Sequence, residues 1–208
     1  MGAHLCTMKI LIVFAALCIA VGAQAQVNSI GPTLGYNHAW LSDIDNGSAR
    51  PSFNGGITFN HSILQSAGIG FEVRYSQEGA KTKIGGQTFT SELNYLRIPL
   101  KFVYYFGKLE DNFRPKIFAG PSFAFLIGGK SQTQVGGTTV SVNSKDNFES
   151  FDFGLQAGTG FNYRLAELVW LNFDVAYTHG FLNLTGDRNP VESKNRLVNA
   201  NLGVAFGF

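Results

Sequence analysis

The stretch Ile69-Gly70-Phe71-Glu72-Val73-Arg74-Tyr75-Ser76 decides the fold. Large apolar side chains fall on the odd numbers, and glycine, serine and charged side chains fall on the even ones. Strict alternation is the mark of a strand with two different faces, because successive side chains leave opposite sides of the backbone. The same period recurs seven more times. Its apolar faces are Ile30–Trp40, Phe53–Phe59, Leu96–Tyr104, Ile117–Ile127, Phe151–Tyr163, Val169–Tyr177 and Val198–Phe208, each interleaved with Gly, Asn, Thr or charged residues. Eight strands are therefore expected.

A volume argument sets which face points outward. The apolar faces carry roughly forty residues, many of them aromatic, and an eight-stranded barrel has room for only a modest interior filling. The apolar face must then meet lipid, and the polar face must fill the lumen. Composition agrees. Only 14% of the 208 residues are charged, against about a quarter in soluble domains. No apolar run after residue 26 reaches the ~18 to 20 residues that a membrane helix needs. The 19 Phe, 7 Tyr and 2 Trp exclude a disordered chain. A formal charge of +2 without a basic stripe gives no sign of nucleic-acid binding. The expected fold class is all-β: an eight-stranded antiparallel up-and-down transmembrane barrel.

Residues 1–25 read as a cleaved signal peptide rather than as structure. A short segment ending at Lys9 precedes the apolar run Ile10–Val21, and Ala23 and Ala25 form an A-x-A cleavage site. The barrel domain is then 26–208, beginning at Gln26. Cys6 and Cys18 both fall in the signal, so the exported chain has no thiol for a disulfide, a metal or a nucleophilic role. Leu17 before Cys18 argues against a lipid anchor.

With the N-terminus in the periplasm, the outer connections run about 42–52, 78–91, 130–150 and 183–195. The periplasmic turns run about 62–67, 107–114 and 164–167. Long outer loops alternating with short inner turns fit a Gram-negative outer membrane. Interfacial aromatics are expected at Trp40, Tyr75, Tyr95 and Tyr177 toward the outside, and at Tyr104 and Tyr163 toward the periplasm. Outer-membrane lipids are the expected surroundings.

The stretches Tyr95-Leu96-Arg97-Ile98-Pro99-Leu100-Lys101-Phe102, Tyr104-Tyr105-Phe106 and Ala119-Gly120-Pro121-Ser122 resemble the PorT-like outer-membrane β-barrel family, often labelled porin family. The C-terminal Val204, Phe206 and Phe208, on one face, resemble the signal that barrel assembly machinery reads. The resemblance implies the barrel fold and the outer membrane. The founding member serves a protein-secretion system, and nothing in these residues marks that role.

The lumen face is expected to carry Glu72, Arg74, Arg97, Lys101, Asp152 and Asp174. A two-residue turn at Gly85-Gly86 would pair Ile84 with Gln87 and set Arg74 opposite Arg97. Glu72 then falls opposite Pro99, diagonally between Arg97 and Lys101, with Asp174 reaching from across the barrel. Such a cluster reads first as a buried plug and second as an ion path. The same turn logic at Gly136-Gly137 pairs outward residues with inward ones, so a bulge or another loop shape is needed there.

Other chemistry is weakly represented. His38 and His179 are followed two residues later by Trp40 and Phe181 rather than serine, and His61 lies at a periplasmic turn. No triad is assembled and no catalytic residue is assigned. The histidines are too dispersed for a metal site, and no cofactor is expected. Gly158-Thr159-Gly160 lies inside a strand, where a phosphate loop cannot form. The Asn-x-Ser/Thr sequons at Asn46 and Asn183 carry little weight in a bacterial chain. The reading is a noncatalytic structural, adhesive or partner-binding barrel, secretion association included, with an unknown protein partner held by outer loops or periplasmic turns. The alternatives are a narrow porin-like pore and a lipid-modifying enzyme.

Overall fold

The computed structural model describes residues 28–42, 47–84, 87–135, 138–146, 148–185 and 192–208. The signal segment and the Gly85-Gly86 and Gly136-Gly137 pairs lie outside these. Nine strands occur among the described residues: β1 (Asn28–Leu41), β2 (Gly47–Leu64), β3 (Ala67–Ile84), β4 (Gln87–Tyr105), β5 (Phe113–Val135), β6 (Thr138–Asn143), β7 (Phe151–Ala166), β8 (Val169–Gly180) and β9 (Asn195–Gly207). Neighbours run β4-β3-β2-β1-β9-β8-β7-β5, and β5 pairs with β4 to close the sheet. All pairings are antiparallel. Closure satisfies every strand edge within the wall, which lipid demands because it offers no hydrogen-bond partners. The barrel has eight strands, and the ninth, β6, pairs with β5 above it.

Outward positions are apolar and exposed, as at Leu34, Phe102 and Phe208, 67–71% exposed. That much apolar surface is stable only under lipid. No helix among the described residues is long and apolar enough to cross a membrane. The aromatics pair across strands: Phe53 with Tyr75, Phe59 with Phe71, Phe161 with Phe173 and Phe125 with Phe151, at centroid distances of 5.2–5.8 Å.

The strands outrun the expected loops. β3 and β4 continue to the pair Ile84–Gln87, the pairing expected of the hairpin, so most of 78–91 is sheet rather than connection. β2 begins at Gly47, inside the expected first outer loop. Gly79 in this extension has φ +122°, and a Cβ there would lie 1.9 Å from the Ser91 carbonyl oxygen, so only glycine fits.

The parity conflict between the fifth and sixth alternating segments is resolved by a break. Lys130 pairs with Asn143 in the β5–β6 hairpin, even with odd. A short 3-10 turn, Ser144–Asp146, follows. Barrel pairing then resumes at Phe125 with Phe151, odd with odd. A second strand on a new register replaces the bulge. The periplasmic end is closed by stacked cations, with the Arg114 guanidinium 4.2 Å from the Tyr105 ring and the Arg164 guanidinium 4.7 Å from the Trp170 ring. Each also donates to a turn carbonyl, of Gln65 and Leu109 respectively.

Candidate functional site

The lumen holds two layers of charge. Register sets their positions: Arg74 pairs with Arg97 across β3 and β4, and Phe71 pairs with Leu100. This places Glu72 beside Pro99, as the hairpin parity requires.

The outer layer centres on Arg97. Its Nε and Nη2 each donate to a different oxygen of Glu78, both at 2.7 Å. Nη1 donates to Ser122 at 3.0 Å, and Nη2 also lies 3.5 Å from Asp152. A two-pronged guanidinium–carboxylate pair is the strongest geometry available to these groups. Asn195 from β9 donates to both Glu78 and Asp152. Ser76 adds a bond to Glu78 at 2.7 Å.

The inner layer centres on two carboxylates. Glu72 accepts from Lys101 and, at 3.1 Å, from Arg74. Asp174, on β8, lies 3.2 Å from Lys101 and 2.7 Å from Lys116 of β5. The Lys101 ammonium sits 4.8 Å over the Phe118 ring. A ladder of amides joins the layers. Asn201, its amide oriented so that the oxygen meets donors, accepts from Arg74 at 2.9 Å and donates to Asn54 at 3.0 Å. Asn54 donates to Asn37 at 2.7 Å, and Asn37 donates to Ser76 at 2.9 Å.

All eight charged side chains are at most 10% exposed. The cavity left beside Glu72, Lys116 and Asp174 measures about 10 Å³, roughly the probe-occupied space of one water. Among the described residues, these charged side chains and the asparagine ladder fill the lumen at both layers.

The six lumen charges expected from sequence all lie inside the barrel. Their pairing differs. Glu72 holds the expected place opposite Pro99, diagonally between Arg97 and Lys101, but it makes no contact with Arg97. It binds Arg74 and Lys101, while Arg97 is held by Glu78 and Asp152. Two further members join them that the sequence reading does not include. Glu78 has the inward parity of Glu72 and Arg74 but falls within an expected loop. Lys116 has the inward parity of Phe118 but precedes the first expected residue of its strand.

Tyr95 needs correcting as well. It is fully buried, with the Arg97 guanidinium 5.7 Å from its ring, and so is not an interfacial aromatic. Its odd number already puts it on the face of Arg97 and Lys101. Trp40 and Tyr177, 6.3 Å apart, face outward, as do Tyr75, Tyr104 and Tyr163. Phe206 and Phe208 are exposed on the outer face and Val204 is half-buried. The described residues hold no cluster of three metal-ligating side chains. His38 and His179 stack on aromatic rings, and the Nδ1 of His61 pairs with Asn28 at 2.8 Å.

The family model of the outer membrane protein beta-barrel domain matches residues 24–186. The chain belongs to this family. Solved barrels share the fold. A major outer membrane protein from Thermus thermophilus aligns with TM-score 0.56 at 14% identity, over 89% of this chain and 100% of that one. OprG from Pseudomonas aeruginosa gives 0.54 at 16%, over 88% and 95%. Neisserial surface protein A gives 0.52 at 17%, over 87% and 97%. None of the curated proteins matches the chain. The protein is an outer-membrane β-barrel, and its fold points to a Gram-negative envelope.

Proposed function

We propose that this barrel is noncatalytic and non-conducting, with a structural, adhesive or partner-binding role performed at its ends. The observation that carries this reading is the lumen. Four cations, Arg74, Arg97, Lys101 and Lys116, meet four carboxylates, Glu72, Glu78, Asp152 and Asp174, across it. An ion path needs sites that bind and release. Here each carboxylate already holds a cation. The partner in this reading is an unknown protein engaged by outer loops or periplasmic turns, a secretion-associated one included. Export with cleavage before Gln26 and assembly read from Val204, Phe206 and Phe208 belong to the same proposal.

Purified barrel in planar bilayers tests the reading, and no steady single-channel conductance is expected. A conductance lost in Glu72→Gln would overturn it in favour of a pore. Crosslinking in outer membranes followed by co-purification then identifies the partner.

A further inference from the structure

The outer rim of β1, β9 and β8 carries a basic-aromatic patch that lumen and loops do not explain. Trp40 pairs with Arg196, and Arg196 pairs with His179, so three adjacent strands place these residues in one row. All three have outward parity and are half-buried rather than lumenal. The next row toward the membrane is His38, Val198 and Tyr177. The row lies at the end opposite the chain termini and the short turns, beside the aromatics that mark the outer interface.

The rings form a frame. Trp40 lies 6.1 Å from His38 and 6.3 Å from Tyr177, and Tyr177 lies 6.2 Å from His179. The Tyr177 hydroxyl and His179 Nδ1 are 3.4 Å apart. Within the frame, Arg196 is anchored through one nitrogen, its Nη1 donating to the carbonyls of Gly180 at 2.8 Å and Asn195 at 3.0 Å. The rest of the guanidinium fork has no carboxylate partner among the described residues. The outward positions of these two rows include no acidic residue. A guanidinium on the outward face, fixed through one nitrogen and beside no carboxylate among the described residues, matches phosphate chemistry. Aromatic side chains beside it suit the apolar and sugar parts of a lipid.

We propose that Arg196, with His179 and the Trp40–Tyr177 frame, binds a headgroup phosphate of an outer-leaflet glycolipid. The site would hold one such lipid against the β1–β9–β8 wall. It does not depend on the role proposed above.

Full-length mature barrel, folded in detergent, is titrated with diphosphorylated lipid A, and bound lipid is counted by native mass spectrometry. Only the folded, heat-modifiable fraction of each variant is scored. Arg196→Gln is expected to weaken retention on the order of tenfold, equivalent to ~1.4 kcal/mol, and Arg196→Lys to weaken it less. Lys81→Gln, removing an exposed cation on β3, leaves the titration unchanged. Dephosphorylated lipid A is retained by wild type no better than by Arg196→Gln. Equal retention of the two lipids by wild type would overturn the proposal. So would an Arg196→Gln variant that binds like wild type, an equal loss in Lys81→Gln, or full displacement of the lipid by millimolar inorganic phosphate.

Discussion

The two layers of the plug solve the same problem in opposite ways. The outer layer surrounds one cation, Arg97, with two carboxylates, Glu78 and Asp152. The inner layer shares two carboxylates, Glu72 and Asp174, among three cations, Arg74, Lys101 and Lys116. Each layer alone is unbalanced by one charge, and the excesses cancel. Buried charge is tolerated only when paired and hydrogen-bonded, so neutrality here belongs to the pair of layers. The asparagine ladder through Asn201, Asn54 and Asn37 supplies the dipoles between them. The difference predicts unequal fragility. The outer layer depends on a single guanidinium, whereas in the inner one each carboxylate holds two cations and Lys101 contacts both carboxylates.

The largest effect should come from Arg97→Gln. It strands two buried carboxylates and should cost ~3 to 5 kcal/mol, read as a lower temperature at which heat-modifiable folded barrel is lost in detergent. Little change would mean that the outer layer has another cation, and the comparison fails. Glu72→Gln should cost less, ~1.5 to 3 kcal/mol, because Lys101 keeps Asp174 and only Arg74 loses its carboxylate. Adding Asp174→Asn should then exceed the sum of the singles, since Lys101 loses both partners at once. An additive result would show that the inner layer does not act as one unit. The smallest effect is expected from Tyr95→Phe, within ~0.5 kcal/mol, because the ring over Arg97 remains and the hydroxyl has no protein hydrogen-bond partner. A large loss would show that the hydroxyl ties the outer layer together.

Inward and outward faces are legible in the sequence because the membrane enforces them. Wherever lipid presses on the wall, parity separates Glu72 and Arg74 from Phe71 and Val73, and the pairing of Arg74 with Arg97 follows from one turn. Legibility fades where the wall leaves the lipid. Above the membrane the inner face of β3 and β4 turns apolar at Ala80, Leu93 and Tyr95 while the outer face leaves the lipid, so the alternation fades and Glu78 looks like a loop residue. Lys116 falls outside an expected span that begins at Ile117, because Arg114, Pro115 and Lys116 interrupt the apolar alternation, although the strand begins at Phe113. Tyr95 shows residue type overruling position: tyrosine suggests an interface, while its number says interior. The carboxylate serving each cation is not readable, because contacts across a lumen depend on barrel closure and side-chain reach rather than on spacing along the chain.

The register shifts have a consequence for how such a chain can change length. They occur between Ala49 and Asn54, at Asn94/Tyr95, between Ser62 and Leu64, between Arg164 and Ala166, and in the switch from β6 to β7. A strand is written in a two-residue frame, and one inserted residue turns every later side chain inside out. In the span that holds the plug, a single-residue insertion would deliver Asp152 or Asp174 to the acyl chains and a phenylalanine to the lumen. At the rims the frame is already reset, so insertions there are absorbed before they reach the charges. Lineages of this barrel should therefore vary in length at both rims and keep the number of residues between them fixed.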